Sequence, residues 1–327
     1  MALLRNNTIY TNRAGKWHQK KTVGEKFMKS AIITGANGFI GTELCKTLSY
    51  HNIKVYAVLR CETSYSEELR KLKNVVPVFC DMDNILHLYN QINSADVFFH
   101  LVWAGITGKD RGDYNLQIKS IRWEMEAIAA AKKVGCKRFV GAGTTAEQDV
   151  YAYSSLDGST PNIVSEYGAA KIAARFMSKA ECNTMGMDHL WAIIPNTYGA
   201  DDRSSNFINF AYDLLASNVP ANFTSGEQYY DFVEVRDVAN GLFHIGMSGK
   251  NNHSYYIGSG KPRRLKEYIK TMRDIINPDK ELHLGAIPYN GVSVPIESFD
   301  CSKLSRDTGY EAQISFENGV QAIRRSK

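Results

Sequence analysis

Tyr167 and Lys171, in the run Glu166-Tyr-Gly-Ala-Ala-Lys171, place a phenol and an ammonium four residues apart. Residues i and i+4 share one helix face, so the two can serve one reacting group. A free tyrosine gives up its proton only near pH ~10, and a close cation lowers that value by stabilising the phenolate. Such a pair can deliver a proton to a developing alkoxide. The plainer alternative is a lysine stem packed over a ring.

Upstream stands Lys29-Ser-Ala-Ile-Ile-Thr-Gly-Ala-Asn-Gly-Phe-Ile-Gly-Thr42, an apolar run followed by Gly35, Gly38 and Gly41. Ile40, Leu44 and Leu48 then recur on one helical side, so the segment reads as strand, glycine turn, helix. Gly35 suits the tight turn, Gly38 a close approach of backbone to a pyrophosphate, and Gly41 the packing of helix on strand. The helix N-terminus would face the phosphates. The spacing is GxxGxxG rather than GxGxxG, and a plain strand-to-helix connection is the alternative.

The elements that must hold these groups alternate. Strands are predicted at Lys54 to Leu59, Val75 to Phe79, Asp96 to Leu101, Arg138 to Ala142 and His189 to Ile194, with helical patterns between most of them. That alternation implies an α/β fold with a doubly wound parallel sheet. Asp113 to Gly135 is the longest helix candidate. It carries Ile118, Ile121, Met125 and Ile128 on one stripe and Trp123, Ala127 and Ala130 on another, so two faces should be covered, one of them by a second subunit. The helix of Tyr167 has a similar surplus in Ala169, Ala173, Phe176 and Ala180. After Ile194 the alternation loosens, and a substrate lobe should begin there.

The 327 residues, 44% hydrophobic and 22% charged, suffice for one large core and a smaller lobe. No apolar run approaches ~18 residues, so no membrane span is expected. The six cysteines show no CxxC or metal-ligand spacing, which suits reduced thiols in a cytoplasm and no metal site. The net charge of +5 resides in residues 1–28, where Arg5, Arg13, Lys16, Lys20, Lys21 and Lys26 face Glu25 alone. The near-neutral remainder excludes a nucleic-acid surface. The leader, 1–28, reads as disordered or vector-derived, with Met28 the natural start and a packing arm as the alternative.

With the glycine turn, Asp81, Thr144, Tyr167 and Lys171 in order, the chain resembles the extended short-chain dehydrogenases/reductases, the family of nucleotide-sugar epimerases, dehydratases and reductases. Further matches are Phe98-Phe-His-Leu101, Asn196-Thr-Tyr-Gly199, Tyr230-Asp-Phe-Val233 with Asp237, and Tyr256-Ile-Gly-Ser-Gly260. The resemblance implies a Rossmann NAD(P)-binding domain over 29–194, with returning segments near 228–258, and a mainly substrate-binding lobe over 195–327. It also implies a role in polysaccharide biosynthesis and a homodimer formed by the helices near 113–135 and 165–182.

Carried over by position, Tyr167 matches the acid/base, Lys171 the residue that holds the nicotinamide ribose and lowers the tyrosine pKa, and Thr144 the group that hydrogen-bonds the reacting oxygen. The resemblance places the cofactor against Gly35, Asn37, Gly38, Phe39, Ile40, Gly41, Arg60, Asp81, Met82, Leu101, Val102, Trp103, Pro195 and Thr197. It places the sugar against Trp103, Thr145, Asn196, Arg203, Asn206 and Phe207. Arg60, with Ser64 four residues on, follows the second strand where an acidic residue would favour NAD, and it favours NADP(H) over NAD(H); an arginine stacked on adenine is the alternative. Asp81 suits the adenine amine, or an ordinary turn.

Reaction type follows from what is missing. The dehydratases of the family carry Thr-Asp-Glu or Thr-Ser-Glu, whereas this chain has Thr144-Thr-Ala-Glu147. Arg60 tilts the reading toward a reductase that exchanges NADPH, and the Trp103-Ala-Gly105 turn with the Gly143-Thr-x-Ala-Glu147 stretch resembles the subgroup that reduces 4-keto-6-deoxy sugars linked to CDP or dTDP, which is the activity the resemblance implies. The alternatives are an NAD-retaining epimerase and a non-catalytic NADP(H) sensor. Tyr230 replaces the arginine that often meets the nucleotide phosphates, so Arg203, Arg263 or Arg264 should neutralise them.

Overall fold

The computed structural model describes residues 27–327 except 156, 163, 164, 203 and 205, together with 10–11 and 17–18, which pair as a short antiparallel ladder. Otherwise the leader up to residue 26 lies outside the described residues. Met28 is fully buried in the core.

The central sheet begins with β1 (Ser30–Thr34), β2 (Lys54–Leu59), β3 (Val75–Phe79), β4 (Val97–His100), β5 (Arg138–Thr144) and β6 (Asp188–Ile194). Two short strands, β7 (Asn196–Tyr198) and β8 (Phe232–Glu234), pair with each other outside it, and β9 (His253–Tyr256) returns to its edge. The seven sheet strands are parallel, in the order β9-β6-β5-β4-β1-β2-β3. Both faces are covered, which is why the strands read as continuous apolar runs rather than alternating ones. Ala31, Ile33, Val97, Phe99 and Val140 enter one core, and Ile32, Phe98 and Phe139 the other.

The covering helices begin with α1 (Phe39–Tyr50), α2 (Ser64–Arg70), α3 (Tyr114–Val134), α4 (Ala146–Ser154) and α5 (Ser165–Thr184). Asp113 and Gly135, expected as helix ends, are the caps of α3. The Asp113 carboxylate accepts from the Asn115 amide at 2.9 Å, and Gly135 takes the left-handed conformation that stops the helix. β4 is one residue shorter at each end than expected, although Asp96 still bonds its neighbours: its amide donates to the Ser30 carbonyl at 3.2 Å and its carboxylate accepts from the Lys29 and Ser30 amides. β5 runs two residues further than expected, to Thr144.

The sheet order reverses between β1 and β4, and ligands of such sheets bind at that crevice, beyond the strand C-termini. Thr34 ties the two strand ends together, its hydroxyl bonding His100 Nδ1 at 3.0 Å and accepting from the Leu101 amide at 3.2 Å. The lobe has its own core of Tyr198, Ile208, Phe223, Phe232, Leu265, Tyr268 and Phe316. It is built on α6 (Phe207–Ala216), α8 (Leu265–Ile276) and α10 (Phe316–Ser326), while α7 (Val235–Ser248) packs back against α1. No helix among the described residues is long and apolar enough to cross a membrane.

The apolar surplus read on α5 lies outside: Ala169, Ala173, Phe176 and Ala180 are all exposed. On α3 the two stripes behave differently from expectation. Ala127, Ile128 and Ala130 are buried, whereas Ile118 is 62% exposed.

Candidate active site

The site is assembled at the C-terminal end of β5. The Thr144 amide donates to Glu147 Oε1 at 3.0 Å, and its hydroxyl accepts from the Ala146 amide at 3.3 Å. The Tyr167 phenol, from the first turn of α5, approaches that hydroxyl closely enough for its hydrogen bonding to lower the phenol's pKa. The Tyr167 ring meets Trp103 edge-on at 6.4 Å, and the Arg111 guanidinium lies 5.3 Å from its centre. Burial pushes the phenol above its ordinary value, while the Thr144 hydrogen bond and the Arg111 charge oppose that shift.

Lys171, one turn further on, is 4% exposed. Its Nζ donates to the Ala142 carbonyl at 2.7 Å and sits 3.6 Å from the Trp103 ring centre. Burial lowers its pKa to about 8, opposed by Glu124 and then Glu147. Arg111 is the cation whose charge pulls the Tyr167 phenol down, while the buried carboxylates of Glu124 and Glu147 act on Lys171.

Glycines make room for those carboxylates. A Cβ on Gly143 would come within 2.5 Å of Glu147 Oε1, and one on Gly141 within 2.7 Å of Glu124 Oε1. Glu147 also accepts from Trp191 Nε1 at 3.0 Å and pairs with Arg175 at 3.1 Å. It is 1% exposed and faces inward.

Beside Thr144 opens a cavity of about 290 Å³. Thr145 and Asn196 line it as expected, joined by Arg111, Asp149, Tyr153, Tyr230 and Tyr289. Asp149 has no hydrogen-bond partner among the described residues, and burial raises it to about 6 against the pull of Arg111. Asn206 and Phe207 are placed elsewhere. Asn206 caps α6, accepting from the Asn209 amide at 2.9 Å, and Phe207 stacks on Phe232 in the lobe core. Trp103 also departs from expectation: it is buried between Tyr167 and Lys171, its Nε1 donating to Gln117 at 2.8 Å. Arg203 lies outside the described residues. Arg263 and Arg264 are paired with Glu317 and Glu227.

The glycine turn borders a second cavity, of about 820 Å³, lined by Asn37, Gly38 and Phe39. Gly35 has φ +71°, a conformation that favours glycine. A Cβ on Gly41 would strike the Gly35 carbonyl, so the helix seats closely only because none is there. Gly38 starts α1 with little around its Cα, and Ile40 follows in the first turn. This bare backbone at a helix N-terminus fits a dinucleotide pyrophosphate. Val102 packs against Gly35, Leu101 against the core, and Thr197 bonds the Pro195 carbonyl at 3.1 Å. Arg60 is exposed after β2. The Asp81 carboxylate caps the turn that follows, accepting from the Asp83 amide at 2.9 Å, and Met82 is core.

The pattern of the NAD dependent epimerase/dehydratase family matches residues 31–258. The chain belongs to this family. It is an enzyme of the extended short-chain dehydrogenase/reductase type, a family that binds NAD(P). It is similar to the dTDP-6-deoxy-L-talose 4-dehydrogenase (NAD(+)) of Aggregatibacter actinomycetemcomitans, 28% identical over 73% of this chain and 87% of the other. CDP-abequose synthase of Salmonella typhimurium is 22% identical over 91% of this chain and 98% of its own. Among solved structures, RMD from Pseudomonas aeruginosa complexed with NADPH aligns with a TM-score of 0.69 at 19% identity, over 91% of this chain and 98% of that one. UDP-glucuronic acid 4-epimerase from Bacillus cereus, in complex with UDP-glucuronic acid and NAD, aligns at 0.72 and 19% over the same shares.

Within this epimerase/dehydratase-family site, sequence reading missed Arg111, Glu124 and Asp149. Arg111 sits in a short 3-10 helix, Gly108–Gly112, too brief for any periodicity to mark it. Glu124 is a charge on an apolar helix face, a signal that was available. Asp149 follows the Thr144-Thr-Ala-Glu147 run by two residues, and no motif marks it.

Proposed function

We propose that this family member is an NADP(H)-dependent reductase of a 4-keto-6-deoxy sugar linked to CDP or dTDP, with Tyr167 as proton donor. The observation that carries this reading is the approach of the Tyr167 phenol to Thr144 at the edge of the cavity lined by Asp149 and Asn196. When bound, the nicotinamide supplies the hydride. Tyr167, kept protonated by burial, gives its proton to the carbonyl oxygen as charge develops there. Thr144 orients that oxygen by a hydrogen bond. Arg111, over the ring, stabilises the phenolate left behind. Lys171 holds the ribose side of the cofactor. Asp149, ionised at neutral pH, accepts from a sugar hydroxyl.

Arg60 supports NADP(H): it is an exposed cation at the strand end where a 2′-phosphate needs one. Glu147 argues against elimination of water, because both of its oxygens are engaged away from the cavity. The exposed Phe176, Ala169 and Ile118 support a homodimer through α3 and α5. The six free cysteines suit a cytoplasmic enzyme.

NADPH consumption with CDP- and dTDP-linked 4-keto-6-deoxy sugars tests this. Tyr167→Phe should lower turnover by roughly 10²–10⁴-fold with NADPH affinity nearly unchanged. Undiminished turnover overturns the assignment of Tyr167. Protein that purifies with bound NAD and turns over without added NADPH is the epimerase instead, and no consumption across a broad panel of keto sugars favours the sensor.

A further inference from the structure

Glu124 lies in the middle of α3 and is fully buried, and neither of its carboxyl oxygens has a hydrogen-bond partner among the described residues. A carboxylate in that condition costs several kcal/mol unless it carries a proton or faces a cation. The space it fills is provided by the missing side chain of Gly141 on β5, with the Trp191 ring on the other side of that glycine. The charged and titratable groups around it are Lys171 and Cys182 from α5 and Glu147 from α4. Glu147 is already held by Arg175, Trp191 and the Thr144 amide, so its charge is compensated elsewhere. Lys171 has three N–H donors and one hydrogen bond, to Ala142, with its remaining contact the face of Trp103. The orphaned carboxylate and the under-bonded ammonium are both buried where α3 packs on α5, without a direct ion pair between them, and each feels the charge of the other.

We propose that Glu124 is a positioning residue for Lys171, a buried counter-charge across the α3–α5 contact that favours the ammonium form at neutral pH. The two groups are poised for this: burial pushes Glu124 up to about 7, with Lys171 pulling it back down, while burial brings Lys171 down to about 8, with Glu124 holding it up. Their protons therefore belong to the pair rather than to either group. The sign for stability follows. Glu124 binds its proton more tightly in the folded chain, so its contribution falls as pH rises from about 4.5 to about 7. Lys171 releases its proton more easily in the folded chain, so its contribution rises from about 8 to about 10.5.

The inference rests on Lys171 being the active-site lysine, and two variants of the full-length protein separate the questions. Lys171→Met should abolish turnover; if it does not, the reading of the site itself fails. Glu124→Gln should fold and bind NADPH, and the alkaline limb of its kcat/KM profile should move to lower pH by about one unit, because the neutral amide no longer favours the charged lysine. A profile superimposable on wild type, in a variant that has folded, overturns the proposal. Glu124→Met is the second variant should the amide disturb folding. Independently of both, infrared spectra of wild-type protein with labelled glutamate should show a protonated-carboxyl band that titrates near neutrality and shifts to higher pH in Lys171→Met. Absence of any such band between pH 5 and 9 also overturns it.

Discussion

The Lys171 ammonium rests 3.6 Å from the centre of the Trp103 ring, closed off from solvent by it. A tryptophan expected to touch sugar and cofactor is thus the wall against which the lysine is held. A desolvated cation–π contact contributes about 2 kcal/mol or more. Trp103→Leu should lower the melting temperature and reduce kcat/KM by at least roughly tenfold, while Trp103→Phe recovers part of both. Thermal melts and NADPH oxidation rates check this.

Asp149 supplies an acceptor that no group among the described residues uses. Its carboxylate is ionised above about pH 6 and protonated below, so substrate binding should weaken as pH falls through 6. Asp149→Asn should raise KM several-fold, leave kcat largely in place and flatten that acid limb. Steady-state kinetics between pH 5 and 8 decide it.

Arg60 offers a charge-assisted contact to a 2′-phosphate, which typically contributes about 1.5–3 kcal/mol. Arg60→Ala should weaken NADPH roughly ten- to hundred-fold with NADH affinity almost unaltered. Fluorescence titration with both dinucleotides gives the ratio; equal losses for the two would mean that Arg60 stacks on adenine.

Gly143→Ala would press a methyl group into Glu147 and the Trp191 indole. Overpacking of this kind costs about 1–3 kcal/mol. Denaturant unfolding should show that loss, with a larger one in Gly141→Ala plus Gly143→Ala, since both methyl groups enter the same buried layer.

Phe176 is 64% exposed on α5 beside exposed Ala173 and Ala180. Phe176→Glu should convert a dimer into monomers, as seen by sedimentation, with the far-ultraviolet dichroism unchanged. A monomeric wild type removes the proposed α3 and α5 interface.

Local pattern was enough for much of this protein. The strand boundaries at Lys54–Leu59 and Val75–Phe79 follow from continuous apolar runs, the glycine turn from its spacing, and the Thr144, Tyr167 and Lys171 set from ordered motifs within the chain. Those features are one-dimensional, because hydrophobic period and turn chemistry act over a few residues. Which charge faces which group is not. Arg111 reaches the Tyr167 ring from a short 3-10 helix 56 positions away, Asn206 and Phe207 turn into the lobe, and Glu124 and Lys171 feel each other's charge only because α3 and α5 pack side by side over two bare glycines of β5. The sequence by itself determined the doubly wound sheet and the identity of the reacting side chains. Their burial, and with it the protonation state each holds, was decided by tertiary packing, since desolvation depends on every neighbour at once.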